Sequence, residues 1–198
     1  MHNMIKWPGA RKLSKYAADI LFIGALLLLL FSPGAKAWLL RQLLWTGLFK
    51  AEITKGAEIG KSLALVGFSY RDENGNVTAI SNLKGKVVLI NFWATWCPPC
   101  RAEMPSLNKL YSQLKGDGRF VFLFLNEDDD AEKAKFFLQK NHYSFPVITR
   151  TGNIPAEVFS GTLPTTVVLN KEGRIVMKHE GMARYDTKDF VEELKSVQ

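Results

Sequence analysis

The apolar pattern opens on twelve consecutive residues without a polar side chain, Ile20 to Phe31. Two shorter groups follow, Trp38-Leu39-Leu40 and Leu43-Leu44-Trp45, spaced as on a short helix. From residue 61 onward the pattern changes to short blocks separated by turn residues. Leu63–Tyr70 and Val77–Ile80 flank Glu73-Asn74-Gly75-Asn76, a hairpin signal centred on Asn-Gly. Val87–Ile90 is apolar at every position and the run continues to Phe92, as expected of a strand covered on both faces. Arg101–Leu114 then carries apolar residues at helical spacing, with a kink expected at Pro105 and a stop at Gly116 and Gly118.

A second doubly apolar strand is expected at Phe120–Leu125, and strand, helix, strand in that order predicts a right-handed parallel crossover. The acids Glu127-Asp128-Asp129-Asp130 fit the start of a helix over about 131–140, where negative charge caps and favours the N-terminus. They lack the glycine and spacing of a calcium loop. Phe145–Ile148 reads as a short edge strand. Thr162–Leu169 and Arg174–His179, joined by Asn170-Lys171-Glu172-Gly173, read as an antiparallel pair. Asp186 or Thr187 caps a last helix to Val197, with Phe190, Val191 and Leu194 on its apolar side. These elements predict an α/β fold with a mixed central sheet flanked by helices.

Charge changes the picture at the N-terminus. The formal net charge of +7 suggests nucleic acid at first sight, but seven of the 26 basic residues and one of the 19 acidic ones fall within residues 1–50. The rest of the chain carries 19 against 18 and is nearly neutral, so no nucleic-acid partner is expected. Basic residues before an apolar run keep that end in the cytoplasm and send the remainder across the membrane. Two readings stay open. Ala35-Lys36-Ala37 fits a cleavage site after a signal peptide, whereas the apolar stretch through Trp45 favours an uncleaved anchor with an interfacial segment. The expected organisation is a basic tip, transmembrane anchor and interfacial segment in 1–50, a tether in 51–60, and a domain in 61–198.

The candidate chemistry lies in Cys97-Pro98-Pro99-Cys100, directly after the central strand and at the start of a helix. A thiolate at a helix N-terminus meets unpaired N–H groups and the positive end of the macrodipole. Its pKa is expected below the free value of about 8.5, which makes Cys97 the nucleophile. Cys100, one turn on, is placed to resolve a mixed disulfide. Zinc needs four ligands, and the chain has no third cysteine and three scattered histidines, His2, His142 and His179. A purely structural disulfide would constrain little chain in so short a loop. In an exported chain, two cysteines confined to one motif point to redox chemistry.

The stretch Leu83 to Pro105, with Asn91-Phe92-Trp93-Ala94-Thr95-Trp96 before the cysteines, and Leu163-Pro164-Thr165-Thr166 resemble the thioredoxin-like superfamily, and within it the membrane-anchored TlpA/ResA type. The resemblance covers about residues 60–198 and implies a thioredoxin-like fold. It implies a cis Leu163-Pro164 bond beside the disulfide, with Trp96, Leu163 and Pro164 toward the substrate. Glu103 matches an acid near the thiols that accepts or supplies a proton for Cys100. Asn91 stands where ordinary thioredoxins carry a buried aspartate, which shifts weight to Glu103 or water.

The activity implied is reduction of protein disulfides, with electrons from a membrane dithiol partner, disulfide-containing clients such as apocytochrome c, and no metal or cofactor. The location implied is the bacterial cell membrane, with the catalytic domain on the periplasmic side. A rival reading is a redox-sensitive peptide-binding module without turnover, against which the intact cysteine pair speaks. A thiol peroxidase is disfavoured because no peroxidatic cysteine stands in a Thr-x-x-Cys setting.

Overall fold

The computed structural model describes residues 10–53 and 68–197, with side chains from Tyr16 onward. The tip around Lys6, the stretch 54–60 and the start of the Leu63–Tyr70 run lie outside the described residues. The apolar N-terminal run forms helix α1 (Ala10–Phe31), and Ser32 then caps helix α2 (Pro33–Trp45) by accepting the Ala35 N–H at 3.3 Å. Pro33 at the first helical position loses no bond, because its N–H would have been an orphan. Among the described residues no single helix is long and apolar enough to cross a membrane. Tyr16–Phe31 and Pro33–Trp45 meet the requirement only together, bent by 92°.

The expected tether is partly built into the body. Ala51 and Ile53 alternate with polar neighbours and are buried in the main core, and the Ile53 N–H donates to Glu193 Oε2 at 2.9 Å. Lys50 bridges Arg184, whose N–H donates to Phe49 O. The folded body therefore reaches back to residue 50.

The expected hairpin forms from β1 (Ser69–Arg71) and β2 (Val77–Ala79), with Gly75 at φ 87° in its turn and Asp72 Oδ1 accepting the N–H groups of Asn74 and Asn76. It stays outside the central sheet. Its further partner is β5 (Thr149–Thr151), so this small sheet has the order β2-β1-β5. The edge strand expected at Phe145–Ile148 is displaced. Phe145, Val147 and Ile148 are apolar because they are buried in the two cores, and only the more polar residues after them pair regularly.

The central sheet has the order β4-β3-β6-β7. Its strands are β3 (Val87–Trp93), β4 (Phe120–Asn126), β6 (Thr165–Leu169) and β7 (Ile175–Glu180). The β3–β4 pair is parallel, joined through helix α3 (Pro98–Leu114), and the remaining pairs are antiparallel. Helix α4 (Ala131–Lys140) starts on Asp130, whose carboxylate accepts the Glu132 N–H. Helix α5 (Lys188–Ser196) starts on Thr187. Helix α3 runs through Pro105 and ends at Leu114 on Lys115, which keeps right-handed backbone. The expected glycine stop is not used, since neither Gly116 nor Gly118 is among the positive-φ glycines.

Because side chains alternate along a strand, β3 divides its residues between two cores. Val87, Leu89 and Trp93 pack with Leu107 and Leu110 of α3, Leu138 of α4 and Phe190 of α5. Val88, Ile90 and Phe92 pack with Phe68, Ile80, Ile148 and Val158. Each such fully buried aliphatic or aromatic side chain contributes about 1.5–3 kcal/mol. Asn91 shares the alternation of Val87 and Trp93, so a polar side chain is aimed into the core beneath α3.

Candidate active site

The chain leaves the sheet at Trp93 and enters α3 at Pro98. Cys97 is the residue that caps the helix, with extended backbone at φ −89°, ψ 105°. Pro98 and Pro99 have no N–H, so the first donor of the helix belongs to Cys100, and it points at Cys97 Sγ at 3.3 Å. Cys97 and Cys100 are joined as a disulfide, S–S 2.05 Å, with Cα atoms 5.3 Å apart. Both cysteines are buried, Cys97 at 3% exposure and Cys100 at none, so Cys97 is the less enclosed residue of the pair.

The turn before the cysteines is held by a residue that sequence reasoning placed elsewhere. The β3–β4 register sets Trp93 opposite Asn126. Two residues beyond each, Thr95 meets Asp128. Asp128 accepts the Thr95 N–H at 3.1 and 3.2 Å and the Thr95 hydroxyl at 2.8 Å. Asn126 donates to Asp128 Oδ2 at 2.7 Å and so fixes the carboxylate in turn. In the acidic run expected to cap α4, capping falls to Asp130 alone. The partnership crosses 33 residues and follows from strand register, which an isolated run of acids does not disclose.

Glu103 lies one helical turn beyond Cys100 and is completely buried. Asn91 Nδ2 donates to its Oε1 at 2.8 Å and the Ala183 N–H donates to Oε2 at 3.2 Å. Asn91 Nδ2 also donates to Thr166 Oγ1, its cross-strand partner, at 2.9 Å, and the same oxygen accepts the Tyr185 hydroxyl at 2.8 Å. The result is a polar cluster inside an apolar core. Loss of water pushes the Glu103 carboxyl up to about 8, against the opposing effect of the two donors. Burial, reinforced by the adjacent Glu103, raises the Tyr185 phenol well above its ordinary value. Ala183 and Tyr185 are members of this cluster that the sequence pattern did not single out, and Thr166, named there only within Leu163-Pro164-Thr165-Thr166, joins it by pairing with Asn91.

Thr165 pairs with Phe92, which brings Pro164 level with Trp93, where the chain departs toward the cysteines. The Leu163-Pro164 bond is cis, and Pro164 is buried. Leu163 is half-buried against the core cluster that contains both cysteines. Trp96, directly before Cys97, is 61% exposed. A groove beside the motif is lined by Pro98 and Pro99 together with Leu29 of α1 and Lys36, Leu39 and Leu40 of α2. The N-terminal helices thus form one wall beside the cysteine turn. The arrangement provides a sulfur pair at the N-terminus of α3 and, one turn further on, a buried acid whose proton affinity lies near that of a thiol.

The family model Redoxin matches residues 60–194. A thiol-disulfide oxidoreductase ResA of Halalkalibacterium halodurans is 34% identical over 132 residues, covering 66% of this chain and 74% of that protein. A second protein of that description, from Bacillus cereus, is 33% identical over 168 residues, covering 84% and 90%. Among solved structures, a putative thiol:disulfide interchange protein DsbE from Chlorobium tepidum superposes with a TM-score of 0.57 at 25% identity, over 67% of this chain and 94% of that one.

Proposed function

The chain belongs to the Redoxin family as a ResA-type, thioredoxin-like thiol-disulfide oxidoreductase, and on that premise we propose that it reduces protein disulfides from an exported, membrane-anchored position. The observation that carries this reading is the sulfur of Cys97 at the N-terminus of α3, facing the Cys100 N–H. In the reduced protein the same donor and the helix dipole favour the Cys97 thiolate.

That thiolate attacks one sulfur of a client disulfide. A Cys97–client bond forms, the client S–S bond breaks, and the departing client thiolate takes a proton from water. Cys100 then gives up its proton and attacks Cys97 Sγ. The Cys97–Cys100 bond forms, the client leaves as a dithiol, and two electrons have passed from enzyme to client. Glu103 exchanges a proton with Cys100, accepting it when ionised and supplying it when protonated, because an acid near 8 and a thiol of about 8.5 exchange a proton at little cost. Trp96, Leu163 and Pro164 form the surface against which an extended client segment lies. Electrons return from a membrane dithiol donor, and maturation of cytochrome c is the use the resemblance implies.

The test is a trap. The full chain carrying Cys100→Ser, exposed to disulfide-bearing exported proteins, should accumulate client adducts on Cys97 that a reductant releases. An empty trap, or undiminished multiple turnover by Cys97→Ser, would refute the assignment.

A further inference from the structure

Helix α2 is apolar on two sides. Inward, Ala37 and Leu44 are buried against the domain; outward, Trp38 and Trp45 are 60% and 65% exposed, with Leu39 and Leu43 also open. A helix on a water-facing surface keeps its outer side polar, so this side is matched to an apolar or interfacial surrounding. Three observations identify it. Helix α1 leads directly into α2 and exposes Ile20, Phe22, Leu28 and Phe31. The corner between them is built by the Ser32 cap and Pro33, and turns the axis by 92°. A helix inserted along the bilayer normal and then turned through 92° continues in the membrane plane. The two exposed tryptophans share α2 with Lys36, and Arg184 stacks 4.7 Å from the Trp45 ring, which is the aromatic and basic mixture of the headgroup level.

This helix is also fixed to the catalytic one. Pro105 has no N–H to give to Arg101 O, and Arg41 of α2 reaches that free carbonyl at 3.5 Å while Leu44 and Ala37 bury beside it. Leu29, in the last turn of α1, borders the same groove as Pro98 and Pro99. The cysteine turn therefore lies beside the C-terminal end of α1, at the corner with α2.

We infer that α2 is an in-plane helix seated in the headgroup layer, and that it holds the Cys97–Cys100 pair at the membrane surface, so that the disulfides served are those presented at that surface. This deepens the anchored reading above and rests on it. A flexible tether would let the domain roam; a helix bound to both lipid and α3 fixes its height and orientation.

The test uses the full chain in vesicles of phosphatidylethanolamine and phosphatidylglycerol, with p-benzoylphenylalanine replacing Leu39, Leu43 or, as the control on the distant hairpin, Val77. A bimane on Cys97 of Cys100→Ser is read in the same vesicles with nitroxide on the lipid headgroups. The expected result is retention in alkaline carbonate, lipid adducts at 39 and 43, none at 77, and loss of bimane fluorescence. A retained chain whose residues 39 and 43 stay free of lipid, or join only protein, overturns the seating of α2. Bimane unaffected by the nitroxide overturns the surface position of the cysteines. Release by carbonate overturns the anchored reading itself.

Discussion

Replacing Glu103 by glutamine should change how stability depends on pH, in a direction set by the buried carboxyl. In the unfolded chain this group titrates at its ordinary 4.5, and in the fold at about 8. Between those values the folded state binds more protons than the unfolded state, so stability falls as pH rises through the window and levels off above about 8. At about 1.36 kcal/mol per unit, the shift of 4.5 to about 8 corresponds to an upper figure of about 5 kcal/mol across the window. Glutamine carries no charge at any pH. Its amide meets the donors Asn91 Nδ2 and Ala183 N–H, which imposes a cost, but one that does not vary with pH.

The diagnostic quantity is therefore the slope and not the offset. Guanidinium unfolding of the oxidised full chain in detergent, at pH 5, 6, 7, 8 and 9, gives the stability of both proteins. The stability of E103Q minus that of the parent should rise by up to about 1.4 kcal/mol per unit from pH 5 to 8 and then flatten. A difference that stays constant from pH 5 to 8, or that falls, would show that Glu103 is not held protonated by burial.

Other contacts give further expectations. Asp128→Ala removes the acceptor of both Thr95 donors; it should lower stability by about 1–3 kcal/mol and slow disulfide exchange, measured by unfolding and by turnover of a model disulfide. Ile53→Ala should cost about 2–5 kcal/mol in the same unfolding assay if this segment is core, and next to nothing if it is a tether. Tyr185→Phe should cost about 1 kcal/mol, since Thr166 Oγ1 keeps its bond from Asn91.

The parts of the fold legible in the sequence were those governed by local spacing. The apolar run through Phe92, broken at Asn91, the helix after the cysteines and the acid-capped helix at Ala131–Lys140 lie where their patterns put them. Errors arose where burial and secondary structure separate: Phe145–Ile148 is apolar because it fills the cores, while the strand proper is Thr149–Thr151. Ala51 and Ile53 escaped notice because two alternating apolar residues are too short a signal for a strand. In the site, Cys97, Cys100 and Glu103 stand at successive intervals of three from the N-cap of α3 and could be read directly. Asp128, Thr166, Ala183 and Tyr185 could not, because their meeting depends on strand register and chain return. Asn91 was visible as a polar residue inside an apolar run, yet its bond to Glu103 appears only when the sheet alternation is laid against α3.

The central claim is that Cys97 supplies the attacking thiolate and Cys100 the resolving thiol. It is tested most directly by alkylating the reduced full chain with iodoacetamide across pH 4 to 10 and locating the label by mass spectrometry. The account predicts label on Cys97 alone at early times, with a midpoint below the free-thiol value of about 8.5. Label appearing first on Cys100, or on both sulfurs together with a midpoint near about 8.5, would contradict it.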